Sequence, residues 1–157
     1  MAPTDPTQLA SLASLFQQTL NPEQRKPAED QIGQLQAQPR FGFLLLALVQ
    51  SESTSTAIRL ASAIQFKNLC KTRWNVDADT EDPVFSAISD DEKQAIRQQL
   101  VPVLVSLASA STPSQAILSQ MNESVALVAS SDFPEAWPAL IDELVSQLST
   151  DNHHVLL

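Results

Sequence analysis

Residues 57–75, "AIRLASAIQFKNLCKTRWN", decide the fold. Advanced 100° per residue, Ala57, Leu60, Ala61 and Ile64 fall on one side of a helix, while Ile58, Phe66, Leu69 and Cys70 spread over much of the remainder. A helix that is apolar nearly all round is buried on several sides. The same window nevertheless carries Arg59, Lys67, Lys71 and Arg73. Lys67, Asn68 and Lys71 lie close to the direction of Leu60 and Ile64, so they leave the packed surface together along one edge. Two readings stand: the lysines bury their stems and reach water, or that edge faces a bound protein. Asn68 among apolar neighbours needs a hydrogen-bonding partner in either case. Trp74, at the helix end, reads as a core plug.

Working outward, apolar residues recur at helical spacing almost everywhere. Leu9, Leu12, Phe16 and Leu20 form a stripe that stops at Asn21-Pro22. Pro22 fits the first turn of a second helix carrying Ala28, Ile32 and Leu35. Pro39 and Gly42 punctuate the chain before the very apolar "FGFLLLALV", and the hydroxyls at Ser53–Thr56 offer caps for the helix already read. The acidic "NVDADTEDPVFSAIS" breaks the pattern over residues 75–89 and reads as a loop. Asp90 is then the expected cap of a helix burying Ile96, Leu100, Val103, Leu104 and Leu107, with a kink expected at Pro102. Thr112-Pro113 should begin the next helix, with Ile117, Met121, Val125 and Val128 inward. Pro134 and Pro138 should open a last one carrying Leu140, Ile141, Leu144, Val145 and Leu148.

The predicted helices pair as residues 9–20 with 23–37, 41–50 with 54–74, and 91–109 with 113–130. A fourth pair starts at 134–149, and its second helix stops within "NHHVLL". Pairs of about 40 residues that cannot cover their own apolar faces mark an all-α fold of the α-solenoid kind. A closed seven-helix bundle is the competing architecture. Leu156 and Leu157 would make a poor polar cap, so the chain reads as the start of a longer protein.

The totals agree with this pattern. A chain of 157 residues with 43% hydrophobic content can fill a core, and 2 glycines with no tyrosine argue against barrels and phosphate loops. A formal net charge of -9 disfavours nucleic acid and anionic membrane as partners and favours a basic protein. The single cysteine excludes an internal disulfide and fits a reducing compartment. No apolar run is long enough to span a bilayer, and "MAPTDPTQ" lacks the basic and apolar regions of a signal peptide. A cytosolic or nuclear location is the simplest expectation.

Catalysis has little to stand on, and no catalytic residue, metal site or cofactor is expected. His153 and His154 are adjacent and would point about 100° apart on a helix, a poor shared metal site. Cys70, flanked by apolar residues, reads as packing. Asp77, Asp79, Glu81 and Asp82 alternate like a calcium loop but lack its central glycine and closing glutamate.

Three separated motifs carry a family resemblance. "SSDFPEAWPALIDELV" resembles the "DFP..WP.L" signature of importin-β family transport receptors through Asp132, Phe133, Pro134, Trp137, Pro138 and Leu140. "AIQFKNLCKTRW" is similar to that family's second-repeat inner helix, with Phe66, Lys67, Asn68 and Trp74 at matching places. "LNPEQRKPAEDQIGQL" resembles its first-repeat inner helix. "PALIDELVSQLS" and the acidic insertion after "KTRWN" are most like the exportin type that returns importin-α to the cytoplasm. An importin of the same family, or a HEAT-repeat scaffold without a GTPase partner, are the alternatives.

The resemblance implies a right-handed superhelix of about three and a half HEAT repeats. Their spans would be about 6–38, 40–74, 90–131 and an incomplete 132–157, with the acidic loop at 75–89. It implies that inner helices bind the GTP form of the small GTPase Ran. Carried over by motif, the candidates are Arg25 and Glu29; Leu60, Ile64, Lys67, Asn68 and Lys71; and Asn122 and Glu123. Asp132 would cap a helix started by Pro134, while Phe133 and Trp137 plug the seam between repeats. Importin-α as cargo of the full-length receptor, contact with nuclear pore proteins and shuttling between nucleus and cytoplasm are further implications.

Overall fold

Caps written into the sequence set most of the helix starts. The structure, a computed structural model, describes residues 5–75 and 88–148. Helix α1, Pro6–Thr19, is entered through Asp5, whose carboxylate accepts the Thr7 N–H at 2.9 Å, with Pro6 preset for the first turn. Helix α2 is Arg25–Gln36, α3 is Phe41–Gln50 and α4 is Thr56–Arg73. The Ser55 hydroxyl accepts the Ile58 N–H at 3.4 Å to cap α4, within the stretch expected to do so. Helix α5 is Asp90–Ala108, α6 is Gln115–Asp132 and α7 is Leu140–Leu148. No strand occurs among the described residues.

Several expected boundaries move, each for a local reason. Pro22 belongs to a separate turn in which the Asn21 side chain accepts the Glu23 N–H, so α2 starts only at Arg25. Ser89, not Asp90, caps α5, its hydroxyl accepting the Glu92 N–H at 3.3 Å and leaving Asp90 as the first helical residue. Ser114 caps α6 after Thr112-Pro113. Pro134 does not open the last helix: residues 133–139 form turns, and α7 begins at Leu140. Helix α5 continues through Pro102 without a break. Of the expected acidic loop, residues 76–87 lie outside the described residues, as do His153, His154, Leu156 and Leu157.

Neighbouring helices pack as hairpins: α1 on α2, α3 on α4, α5 on α6. Across hairpins, α1 touches α3, α3 touches α5 and α5 touches α7, while α4 lies against α6. The result is two layers that grow side by side, an all-α solenoid. Its core is continuous, running from Leu12 and Phe16 through Leu45, Phe66 and Leu69 to Ile96, Leu100, Met121 and Val128. Each such large side chain contributes about 1.5–3 kcal/mol on leaving water.

Two backbone features bring the hairpins close. A Cβ built on Gly42 would meet Ile96 Cδ1 and Leu69 Cδ2 at 3.3 Å, so glycine lets α3 approach α4 and α5. Arg40, just ahead of α3, has φ of 70° in the left-handed region. Its N–H donates to Glu92 Oε1 of α5 at 2.9 Å, and its guanidinium sits 5.2 Å from the Phe43 ring centroid. The contact holds the backbone where few non-glycine residues rest.

Candidate protein-binding face

The four cations of residues 57–75 meet different fates, and their separation defines the candidate face. Arg59 turns back to the end of the preceding helix, its Nε donating to the Val49 carbonyl at 2.9 Å. Arg73 is buried, and its carbonyl accepts the Ile88 N–H at 3.1 Å. Burial pulls its guanidinium below its ordinary pKa, with Glu92 nearby opposing the shift. Lys67 and Lys71 remain on the open side of α4, with exposed Asn68 between them.

The open side of α4 is the one the helical wheel placed together. Ile58, Ser62, Ala63, Phe66, Leu69 and Cys70 are buried, whereas Leu60 and Ala61 are half-buried and Ile64 is 38% exposed. Leu60, Ile64, Lys67, Asn68 and Lys71 therefore form a stripe with two apolar residues at one end and two cations at the other. On α6, Lys67 Nζ meets Glu123 Oε2 at 3.5 Å. Asn122, one residue earlier, lines a groove of about 650 Å³ with Leu118, Ser119 and Ala126 at the α5–α6 corner. Arg25 and Glu29 are exposed on α2, which packs on α1, and Arg25 Nε donates to the Thr19 carbonyl at 3.0 Å. The structure thus brings Lys67 and Glu123 together, and it gives Arg25 a capping bond at the end of α1.

The "DFP..WP" residues do work that differs from the expectation. Asp132 caps no following helix, because it closes α6. One of its carboxylate oxygens accepts the Trp74 indole N–H at 3.0 Å and Arg97 Nη1 at 2.7 Å, and the other accepts the Ser131 hydroxyl at 2.9 Å. Its carbonyl accepts the N–H groups of Ala136 and Trp137 at 2.7 and 3.0 Å. One residue so joins α4, α5, α6 and the turn toward α7. Trp137 is buried as expected of a seam plug, but Phe133 is 40% exposed because the turn carries it outward. Pro134 and Pro138 are exposed in that turn. Trp74 is buried, with Lys93 Nζ 5.7 Å from its ring centroid.

Sequence reasoning does not find Arg97 or Glu92, and it names Arg59 without its role as a cap of the preceding helix. Arg97 borders the apolar stripe of α5, a weak signal; nothing in the sequence says that its partner lies 35 positions away. Cys70 is a buried free thiol, and burial pushes its pKa up to about 12, which removes the thiolate that chemistry would need. Glu143 is likewise raised by burial, against a hydrogen bond from Trp137. Among the described residues no cluster of three or more His, Cys, Asp or Glu could hold a metal ion, and no helix is long and apolar enough to cross a membrane.

Stacked helical hairpins, with a mixed apolar and cationic stripe along helix α4, define a helical-repeat module of the solenoid class. The family model "Importin-beta N-terminal domain" matches residues 28–106. The chain belongs to the importin-β N-terminal domain family. Exportin-2 of Drosophila melanogaster is 31% identical over 150 residues, covering 94% of this chain and 15% of the relative. The importin alpha re-exporter of Saccharomyces cerevisiae is 31% identical over 144 residues, 92% of this chain and 14% of the relative. A solved structure of the exportin Cse1 in its cargo-free, cytoplasmic state superposes with a TM-score of 0.78 at 28% identity, covering 94% of this chain and 15% of that one. The chain spans 14–15% of the length of these relatives.

Proposed function

We propose that this chain is the N-terminal segment of an exportin-type nuclear transport receptor and engages the GTP form of Ran. Hairpins α1/α2, α3/α4 and α5/α6 are its first three HEAT repeats, and α7 opens the fourth. The observation that carries the reading is the stripe of Leu60, Ile64, Lys67, Asn68 and Lys71, which lies exposed or half-buried on α4 opposite the packed side formed by Ile58, Ser62, Ala63, Phe66, Leu69, Cys70 and Arg73. An exposed isoleucine beside two lysines and an amide offers apolar area with polar orientation, as protein interfaces use. The resemblance of residues 64–74 to the family's second inner helix, and the relatives named exportin-2 and importin alpha re-exporter, support it. Long-range attraction between a chain of charge -9 and basic surfaces of a partner would mainly raise the association rate.

In the complete receptor the cargo is importin-α, and the receptor passes the nuclear pore and shuttles between nucleus and cytoplasm. Binding of GTPase and cargo is coupled through the curvature of the stack. The module holds its partners and catalyses nothing. The test is binding of Ran loaded with GTP or with GDP, both to the chain and to the yeast importin alpha re-exporter carrying it in place of its matching segment. A preference for the GTP form is expected; equal binding to the two forms overturns the reading.

A further inference from the structure

We infer that Glu123 is an internal competitor for Lys67 and contributes no contact of its own to the partner. The inference rests on the reading of the α4 stripe as the GTPase-binding face. An ion pair crosses from α4 to α6, Lys67 Nζ to Glu123 Oε2 at 3.5 Å. The two side chains are unequally placed: that of Lys67 is 23% exposed and that of Glu123 is 63% exposed. Most of the Lys67 side chain is covered, so its ammonium has less freedom than that of a fully exposed lysine. Glu123 stands mostly in water and can swing away at small cost in hydration.

This asymmetry dictates the exchange that binding requires. A partner that presents a carboxylate to the stripe meets Lys67 already neutralised and must displace Glu123 before it gains the charge. Lys71, one turn further along, is exposed and makes no ion pair among the described residues, so it is offered directly. The two lysines then have distinct parts: Lys71 is available at first contact, and Lys67 is released as Glu123 is displaced. The pair also ties α4 to α6 in the free protein, and binding trades that internal tie for an external one.

The expected size follows from exposed ion pairs, whose measured worth corresponds to about a two- to fivefold change in an equilibrium constant. Glu123→Gln keeps the shape and removes the competing charge. It should therefore tighten binding of GTP-loaded Ran by about two- to fivefold. Salt dependence is the second readout. In the natural chain one ion pair is exchanged for another, whereas in Glu123→Gln a bare Lys67 gains a partner, so affinity should fall more steeply with added salt.

The experiment measures affinity for Ran loaded with GTP or GDP between low and high salt, for the natural sequence and for Glu123→Gln. Both are tested as the 157-residue chain and in the yeast importin alpha re-exporter carrying that chain. If the natural sequence does not prefer the GTP form, the functional reading itself fails. If it does, tighter binding by Glu123→Gln with a steeper salt dependence supports the internal competitor. Unchanged affinity overturns it, and weaker binding overturns it too, because Glu123 would then be a contact.

Discussion

Trp74 and Asp132 meet across 58 positions of sequence, the indole N–H donating to the carboxylate at 3.0 Å in a buried setting. Arg97 shares the same oxygen at 2.7 Å, with its side chain 14% exposed and that of Asp132 10% exposed. The three residues belong to three successive elements of the stack, so their union fixes the end of α4 against α5 and α6. That is the frame in which the open stripe of α4 is presented.

Asp132→Ala should therefore be among the costliest single changes in the chain. It strands a part-buried guanidinium and a buried indole N–H together, which costs up to about 3–5 kcal/mol, the range of broken buried ion pairs. Asp132→Asn keeps an acceptor for Trp74 and should lose less. Urea denaturation of the two variants, followed by far-UV circular dichroism, measures the difference. Equal losses would mean that the charge on Asp132 matters little.

The two glycines should respond in opposite directions. Nothing lies within 4 Å of a Cβ built on Gly33, in the interior of α2, so Gly33→Ala should gain up to about 1 kcal/mol from helix propensity. At Gly42 the added atoms meet Ile96 and Leu69, both buried, so Gly42→Val should lose about 1–3 kcal/mol by overpacking. Thermal melting of both variants against the natural chain checks the pair.

Cys70 predicts a pH dependence with a definite sign. Its folded pKa is pushed to about 12 from an ordinary 9.0, because burial disfavours the thiolate. Above pH 9 the unfolded chain loses this proton while the folded chain keeps it. The stabilisation is fully present below pH 9 and declines from there toward pH 12. Denaturant midpoints at pH 8 and pH 10.5 should separate more for the natural chain than for Cys70→Ala. The native thiol should also resist alkylation at pH 8 and react once unfolded.

Much of the fold is legible in the sequence because it follows from local pattern. The stripes Leu9–Leu20 and Ile96–Leu107 place helices regardless of what they pack against, and hydroxyls such as Ser55 announce their own caps. The start of the last helix is not legible, because Pro134 and Pro138 both suit a first turn. What decides the boundary is Trp137 docking into the core and its N–H returning to the Asp132 carbonyl, a contact made by tertiary packing. The face was half legible. Periodicity groups Leu60, Ile64, Lys67, Asn68 and Lys71 and sets Arg59 and Arg73 on other sides of the helix, yet it cannot name the partners of those arginines, which lie on other elements. From sequence Asp132 reads as a cap, because its partners Trp74 and Arg97 are remote in the chain.

The most direct measurement is the affinity of GTP-loaded Ran for the double variant Lys67→Glu with Lys71→Glu, carried in the grafted yeast receptor and compared with the natural sequence. Reversing both cations on the open face of α4 should weaken binding by about tenfold or more through like-charge contact, with helix content unchanged by circular dichroism. Unaltered affinity in a folded variant would mean that the partner lands elsewhere and that these lysines serve only to keep the edge of the helix in water.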